Sequence, residues 1–394
     1  MTRIALVSGG IGLGGSTTFL VNLAGDLARR KIPVEVLSFE KNNPLASDFQ
    51  RLNVPVLCLD ARRGIFEDRM EMILRRLSEF KPTIVVANLG AVSFEVFRYT
   101  PPGVFRLGVG HADDPKVYEM LGHFVPHMDA LAVVSDKMKE HLSALLEFSR
   151  LPVHYLAHGV PMPLDTELPV RTFASPLRLI YLGRLEREQK RVHLFPQILE
   201  QLKASGVPFH WTIAGEGSQK TALERTMKSS PGQTVSFPGQ ISYAQVPEIL
   251  RSHDVCLLTS DYEGFGLSVA EAMGCGLVPV VSDLPAGIPE MVDHTTGIVV
   301  PMDDVAGYAR GILHLHEHRD ELAAKSAAAR ARVKTRFSLA AMTDRWLAVM
   351  PAPPPVMSQW PARWNISAPL EVKNSFYYSR PMRVLRRMAG SLRR

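Results

Sequence analysis

Glu263 and Glu271 bracket a glycine turn, with seven residues between the two carboxylates. Before the turn, Val255 to Leu258 is a short apolar run bounded by polar residues, which predicts a buried strand of a parallel sheet. After it, Leu267, Ala270 and Met273 recur at helical spacing, and Gly274 and Gly276 close the pattern. Strand, glycine turn and helix start together make an anion site. The first-turn N–H groups have no intrahelical partner and carry partial positive charge, and glycine lets a phosphate reach the backbone. Glu263 then sits at the lip of that site. Glu271, one to two turns into the helix, is placed to reach past a phosphate towards a sugar hydroxyl.

The same two carboxylates are poorly spaced for glycoside hydrolysis. A fully helical step from Glu263 to Glu271 spans ~12 Å, whereas retaining hydrolases need about 5 Å and inverting ones at most about 9.5 Å. The pair suits two parts of one extended ligand better. Further basic groups stand at Arg184 and Lys190 in GRLEREQK, just past the apolar run LRLIYL. An arginine and a lysine at a strand end can neutralise a diphosphate. Near the N-terminus, Gly10, Gly12 and Gly15 fit G-x-G-x-x-G between a strand at Ile4 to Val7 and a helix reaching about Arg30. Glu40 follows the second strand, Val34 to Phe39. That is the dinucleotide fingerprint with its ribose-binding acid, and it leaves an NAD(P)-dependent oxidoreductase as the alternative reading.

The frame S-x-x-E-G-F-G-L-x-x-x-E-A-M-x-x-G that holds Glu263 and Glu271 resembles the signature of retaining glycosyltransferases of family 4, the group 1 glycosyl transferases. The resemblance covers most of the chain. It implies the GT-B fold: an α/β protein with two doubly wound Rossmann-like domains facing across a cleft. It implies that Glu263 lies near the donor sugar and phosphate and that Glu271 binds the ribose. The backbone of Gly264, Phe265, Gly266 and Leu267 would hold the diphosphate. Gly183, Arg184 and Lys190 resemble the family's G-R-L…K element, with one residue more than the commonest spacing. Gly215 and Gly217 resemble its G-x-G turn beside the base. Gly14 and Gly15 match a glycine pair that lies against the donor diphosphate or the acceptor. His111, in GVGHADD after a strand, matches a histidine that contacts the donor sugar near the reacting carbon. Asp113 and Asp114 could assist an acceptor hydroxyl, although a solvated loop is the simpler reading. SDLPAGIPEMV departs from the family's G-G-x-x-E loop: Ala286 replaces one glycine, while Gly287 and Glu290 match. His158 stands where the family more often has asparagine, so no role is carried to it.

The activity so implied is transfer of a hexosyl residue from a UDP- or GDP-sugar to a hydroxyl of a saccharide or lipid-linked glycan, with retention at the anomeric carbon. Bacterial cell-envelope polysaccharide or lipopolysaccharide synthesis is the usual setting. No Asp-x-Asp pair occurs, and Arg184, Lys190 and the helix start at Gly264 to Leu267 can stabilise a departing diphosphate without a metal. The expectation is therefore a metal-independent transferase with no cofactor beyond its donor substrate. HLHEH, with His314, His316 and His318, reads as a surface helix rather than a metal site.

The elements that must position these groups alternate along the chain. Helices are predicted at Phe66 to Phe80, Val92 to Tyr99, from Ser135 as N-cap, and at Asp303 to Arg336. Strands are predicted at Thr83 to Ala87, Val104 to Val109, Ala130 to Val134, Val153 to Leu156, Leu177 to Leu182, Phe209 to Ala214, Thr234 to Phe237, Val278 to Val281 and Gly297 to Val300. A chain of 394 residues suits two domains. The proline-rich stretch 161–176 reads as their linker. The expected division is an acceptor-side domain at 1–165, a donor domain at 166–350, and a proline-rich crossover with a basic segment at 351–394 that returns to the first domain. The net charge is +6, and the acid-free stretch Val372 to Arg394 alone carries +7 (Lys373, Arg380, Arg383, Arg386, Arg387, Arg393, Arg394), leaving the remainder at −1. A near-neutral body does not support nucleic-acid binding. The segment from Phe376 mixes aromatic and basic residues. It suits either peripheral contact with an anionic membrane or a helix packed on the first domain. Three scattered cysteines and the lack of a transmembrane-length apolar run fit a cytoplasmic protein, peripheral at most on the inner face of the membrane. Nothing in the pattern speaks to oligomeric state.

Overall fold

The computed structural model describes residues 1–12, 14–40, 45–59, 65–167, 175–228, 233–353, 359–367 and 369–370. The basic segment 372–394 and its membrane reading lie outside the described residues, as do parts of the linker and of the crossover. The chain forms two compact units. The first is Met1–Ala157 with the described residues from Thr343 on; the second is His158–Met342.

The first unit holds a parallel sheet of β1 (Ile4–Ser8), β2 (Val34–Ser38), β3 (Val56–Cys58), β4 (Ile84–Ala87), β5 (Phe105–Gly110), β6 (Ala130–Val133) and β7 (Val153–Tyr155). Its spatial order is β3-β2-β1-β4-β5-β6-β7. β1, β2, β4 and β6 are buried along their whole length. That is why β4, β6 and β1 up to Val7 read as unbroken apolar runs rather than as alternating ones; β2 is interrupted by Glu35, a buried carboxylate that accepts from Arg76 Nε at 3.0 Å. Helices cover both faces. In the helix Phe66–Phe80, Met70, Ile73, Leu74 and Leu77 are fully buried at helical spacing. Each such side chain contributes roughly 1.5–3 kcal/mol of burial. The chain's return is anchored by Trp360, Trp364 and Ile366, which pack on this core. Arg98 Nη2 also donates to Ser367 Oγ at 2.6 Å.

The second unit holds β8 (Leu177–Leu182), β9 (Phe209–Ala214), β10 (Gln233–Gly239), β11 (Val255–Leu258), β12 (Val278–Ser282) and β13 (Ile298–Val300), in the order β10-β9-β8-β11-β12-β13. All pairings are parallel. In both sheets the strand order reverses beside the first strand of the unit, between β1 and β4 and between β8 and β11. In doubly wound sheets, ligands bind outside the carboxyl ends of the strands at that reversal.

Several elements differ from their predicted form. Val56–Cys58 and the helix Ala46–Arg51 are additional; both are too short to show a period. The pattern predicted as one helix at Val92 to Tyr99 is a single turn, Ala91–Phe94, that tightens to a 3-10 helix at Glu95–Tyr99. The long helix predicted at Asp303 to Arg336 is two, Val305–Glu317 and Arg319–Arg332, with a π-turn at Val333–Phe337. His318 breaks it with φ −113° and ψ 72°, and its own N–H still bonds the His314 carbonyl.

Candidate active site

In the second unit, β11 ends at Leu258 and the chain turns through Thr259 to Gly266 into the helix Leu267–Gly274. Glu263 is held there by two groups. Lys190 Nζ lies 2.6 Å from its Oε1, and Ser260 Oγ donates to the same oxygen at 2.6 Å. The lysine and glutamate side chains are 14% and 8% exposed, so the pair is largely shielded from water. The loop after β8 is stitched to the loop after β11 by backbone as well. Thr259 Oγ1 donates to the Lys190 carbonyl at 2.8 Å, and the Asp261 N–H to the Gln189 carbonyl at 2.8 Å. Arg184 joins at one remove. It is more than half exposed and donates to Glu186 Oε1 at 2.9 Å and Gln189 Oε1 at 2.6 Å, while Gln189 Nε2 donates to the Tyr262 carbonyl at 3.2 Å.

The helix that follows has no side-chain cap and no acid in its first turn. Gly266 is its N-cap, at φ 91°, and a Cβ there would lie 2.7 Å from Ile288 Cδ1. Only glycine meets both demands. Glu271 has a partly exposed side chain and no ion pair or side-chain hydrogen bond among the described residues. Desolvation by burial pushes its carboxyl up to about 7. Phe265 is buried and packs between His158, at 5.2 Å between ring centroids, and Phe337, at 5.6 Å. His158 thus steadies the turn from behind.

Gly183 and Gly215 bring the turns after β8 and β9 together. The Gly183 N–H donates to the Ala214 carbonyl at 3.1 Å, and the Gly215 N–H to the Gly239 carbonyl at 2.8 Å. A Cβ on Gly215 would be driven into the Gly183 carbonyl oxygen, and one on Gly217 into the Leu185 carbonyl. Gly287, at φ 75°, approaches Gly264 closely: its Cβ would sit 2.9 Å from the Gly264 oxygen. The glycine that the loop keeps is therefore the one its geometry requires.

In the first unit, the glycine turn after β1 leads into the helix Gly15–Arg29, capped by Gly14 without a side chain. A Cβ added at Gly12 or Gly14 meets nothing within 4 Å, whereas one at Gly10 meets Glu40 Oε2 at 2.6 Å. Past β5, His111 Nε2 lies 2.7 Å from Asn88 Oδ1, and Asn88 directly follows β4. Asn88 Nδ2 in turn donates to the Ser16 carbonyl at 3.4 Å. Phe19 meets the His111 ring edge-on at 5.5 Å. Burial pushes His111 down to about 4. Asp113 accepts from Tyr118 Oη and from His141 Nδ1, and Asp114 N-caps the helix Pro115–Gly122. His314 and His318 stack at 4.2 Å, and His314 Nε2 contacts Glu321 Oε2 at 2.7 Å. Among the described residues no three His, Cys, Asp or Glu groups are placed to hold a metal.

The sequence reading had no role for Ser260, Gln189 or Asn88. Ser260 stands in the S-x-x-E frame, three residues before Glu263. Asn88 was signalled only by a polar residue closing the apolar run Ile84 to Ala87.

A family model described as glycosyl transferases group 1 matches residues 176–318, and one described as glycosyltransferase family 4 matches residues 13–162. A putative colanic acid biosynthesis glycosyltransferase of Escherichia coli (strain K12) is 30% identical over 277 residues, which is 66% of this chain and 68% of that protein. Among solved structures, Anabaena HepE in complex with UDP superposes with a TM-score of 0.71 at 15% identity, covering 88% of this chain and 99% of that one. A lipopolysaccharide outer core galactosyltransferase in its apo form gives 0.64 at 17% identity, covering 88% and 98%. The two Rossmann-like units are those of the GT-B fold.

Proposed function

This chain belongs to the group 1 glycosyl transferases of family 4, and we propose that it moves a hexosyl residue from a UDP- or GDP-sugar to a hydroxyl of a saccharide or lipid-linked glycan, with retention and without a metal. The observation that carries this reading is the meeting of Lys190, Glu263 and Ser260 beside an uncapped helix start at the reversal between β8 and β11.

The donor diphosphate takes the first-turn N–H groups of the helix that starts at Leu267, with Lys190 and Arg184 as counter-charges. Both act on charge that grows as the bond from the anomeric carbon to the phosphate oxygen breaks. Glu263, released from Lys190 by the arriving phosphate, accepts from donor-sugar hydroxyls. Glu271 accepts from the ribose. Gly215 and Gly217, whose Cβ positions are filled by the Gly183 and Leu185 carbonyls, shape the turn beside the base, and Gly14, Gly15 and His111 serve the reacting end. The acceptor oxygen bonds to the anomeric carbon on the face the phosphate leaves, and its proton passes to the departing phosphate oxygen. The family relationship and a relative named for colanic acid biosynthesis support a place in polysaccharide synthesis.

The dinucleotide reading of Gly10, Gly12 and Gly15 gives way to the family relationship, since the glycosyltransferase models match both halves of the chain. A cytoplasmic enzyme touching the membrane through its basic C-terminal segment fits a lipid-linked acceptor. Among the described residues no helix is long and apolar enough to cross a membrane. Liposome co-sedimentation with and without residues 376–394 tests the contact; equal binding removes it.

Calorimetry with UDP, GDP, ADP and NADH, with and without EDTA, tests the core of the proposal. One nucleoside diphosphate should bind, equally in EDTA, and the heat should vanish in Glu271→Ala. Binding of NADH alone, or loss of nucleotide binding in EDTA, overturns it. Retention is read from the anomeric configuration of the first-formed product by NMR.

A further inference from the structure

The identity of the proton-bearing nitrogen on His111 follows from its buried neighbour Asn88. The Ser16 backbone carbonyl can only accept a hydrogen bond, so the Asn88 group facing it at 3.4 Å must be the NH2. The Asn88 carbonyl oxygen then faces His111 Nε2 at 2.7 Å. An amide oxygen can only accept, so Nε2 must be the donor. Asn88 is itself fixed: it is 1% exposed, and its backbone N–H donates to the Val7 carbonyl of β1 at 2.9 Å. The imidazole plane is set by a second contact. Phe19 packs edge-on against it at 5.5 Å, and Trp346, 1% exposed on the helix Leu339–Val349, backs Phe19 at 5.3 Å.

We propose that Asn88 is a positioning residue that holds His111 as the Nε2–H tautomer, with Phe19 and Trp346 fixing the plane of the ring. The lone pair is then assigned to Nδ1. An uncharged His111 in this state interacts with hydroxyls of the reacting sugar rather than acting as a further cation for the diphosphate. The Gly15–Arg29 helix, which supplies Ser16 and Phe19, ties the glycine turn after β1 to the histidine after β5. The inference rests on the reading of His111 as a residue of the transfer site, but its first test does not.

The full-length chain is labelled with ¹⁵N-histidine, and the His111 resonances are assigned by their loss in His111→Gln. Wild type should show His111 as Nε2–H alone near neutral pH. Asn88→Leu should mix the tautomers, and Asn88→Asp, which keeps an acceptor oxygen, should preserve Nε2–H. In kinetics, Asn88→Leu should lower kcat for release of nucleoside diphosphate from the matching nucleotide sugar by about tenfold or more. Affinity for the nucleoside diphosphate that wild type binds should stay within about twofold. His111 found as Nδ1–H in wild type overturns the proposal, even if Asn88→Leu does not fold. So does an unchanged single tautomer in a folded Asn88→Leu. A correct tautomer in an enzyme that releases no nucleotide from any sugar donor would instead count against the transferase proposal.

Discussion

Lys190 Nζ and Glu263 Oε1 are 2.6 Å apart across 73 residues of chain, and both side chains are largely shielded from water. The cation proposed for the diphosphate and the carboxylate proposed for the sugar are each other's direct partners. In the proposed complex, donor binding exchanges this pair for two ligand contacts.

Breaking the pair from either side should have opposite effects on nucleotide binding. Glu263→Gln frees Lys190 from its counter-charge and should tighten nucleoside diphosphate binding by up to about tenfold, while transfer falls by at least about a hundredfold. Lys190→Ala leaves a shielded carboxylate without its cation. It should weaken nucleotide binding and cost about 3 kcal/mol of stability. Calorimetry and urea unfolding of the two variants check this; equal losses of affinity in both would contradict it.

The ribose contact proposed for Glu271 comes at a cost in stability. In the unfolded chain it titrates near 4.5, and in the folded one near 7. Between these values the unfolded chain has released a proton that the folded chain keeps. Stability therefore falls as pH rises from about 4.5 to 7 and stays lowered above it. The interval sets a ceiling of about 3 kcal/mol, reduced by whatever solvent reaches the side chain. Glu271→Gln should raise the melting temperature at pH 8 more than at pH 5, and should abolish nucleotide binding at both. A melting temperature that shifts equally at both pH values sinks the assignment.

His111 should make the fold acid-sensitive. The unfolded chain takes up its proton near 6.5, but the folded chain only near 4. Stability is full above 6.5 and is lost progressively as pH falls towards 4, by at most about 3 kcal/mol. Urea midpoints at pH 7.5 and 5 should differ less in His111→Gln than in wild type. Parallel slopes would show that other groups carry the acid loss.

Two glycines separate folding from ligand approach. Gly215→Ala forces a methyl into the Gly183 carbonyl and should cost roughly 2–4 kcal/mol or prevent folding of the second unit. Gly12→Ala meets nothing within 4 Å and should change stability by less than about 0.5 kcal/mol. If Gly12 contributes by letting a substrate close to the backbone, its transfer rate should still fall. Thermal unfolding and nucleotide release on both variants decide this.

Much of the fold and part of the site were legible in the sequence because their signals are local. A buried parallel strand is an apolar run wherever it lies, so β4, β11 and β12 are evident from sequence alone. The helix Phe66–Phe80 follows from its own period. The glycine turn with Glu263 and Glu271 is contained in one strand-turn-helix stretch. Val56–Cys58 has three residues and no period, and the break at His318 has no proline or glycine to announce it. Neither could be read.

Tertiary structure decided which groups meet. Lys190 reaches Glu263 because β8 and β11 are neighbours in a sheet whose strand order reverses there. Asn88 reaches His111 because β4 lies beside β5, and Trp346 reaches Phe19 because the chain comes back to its first unit. Linear spacing fixes which side chains share an element and a face. Partners 23 or more residues apart are chosen by strand order and packing, and no local period encodes those.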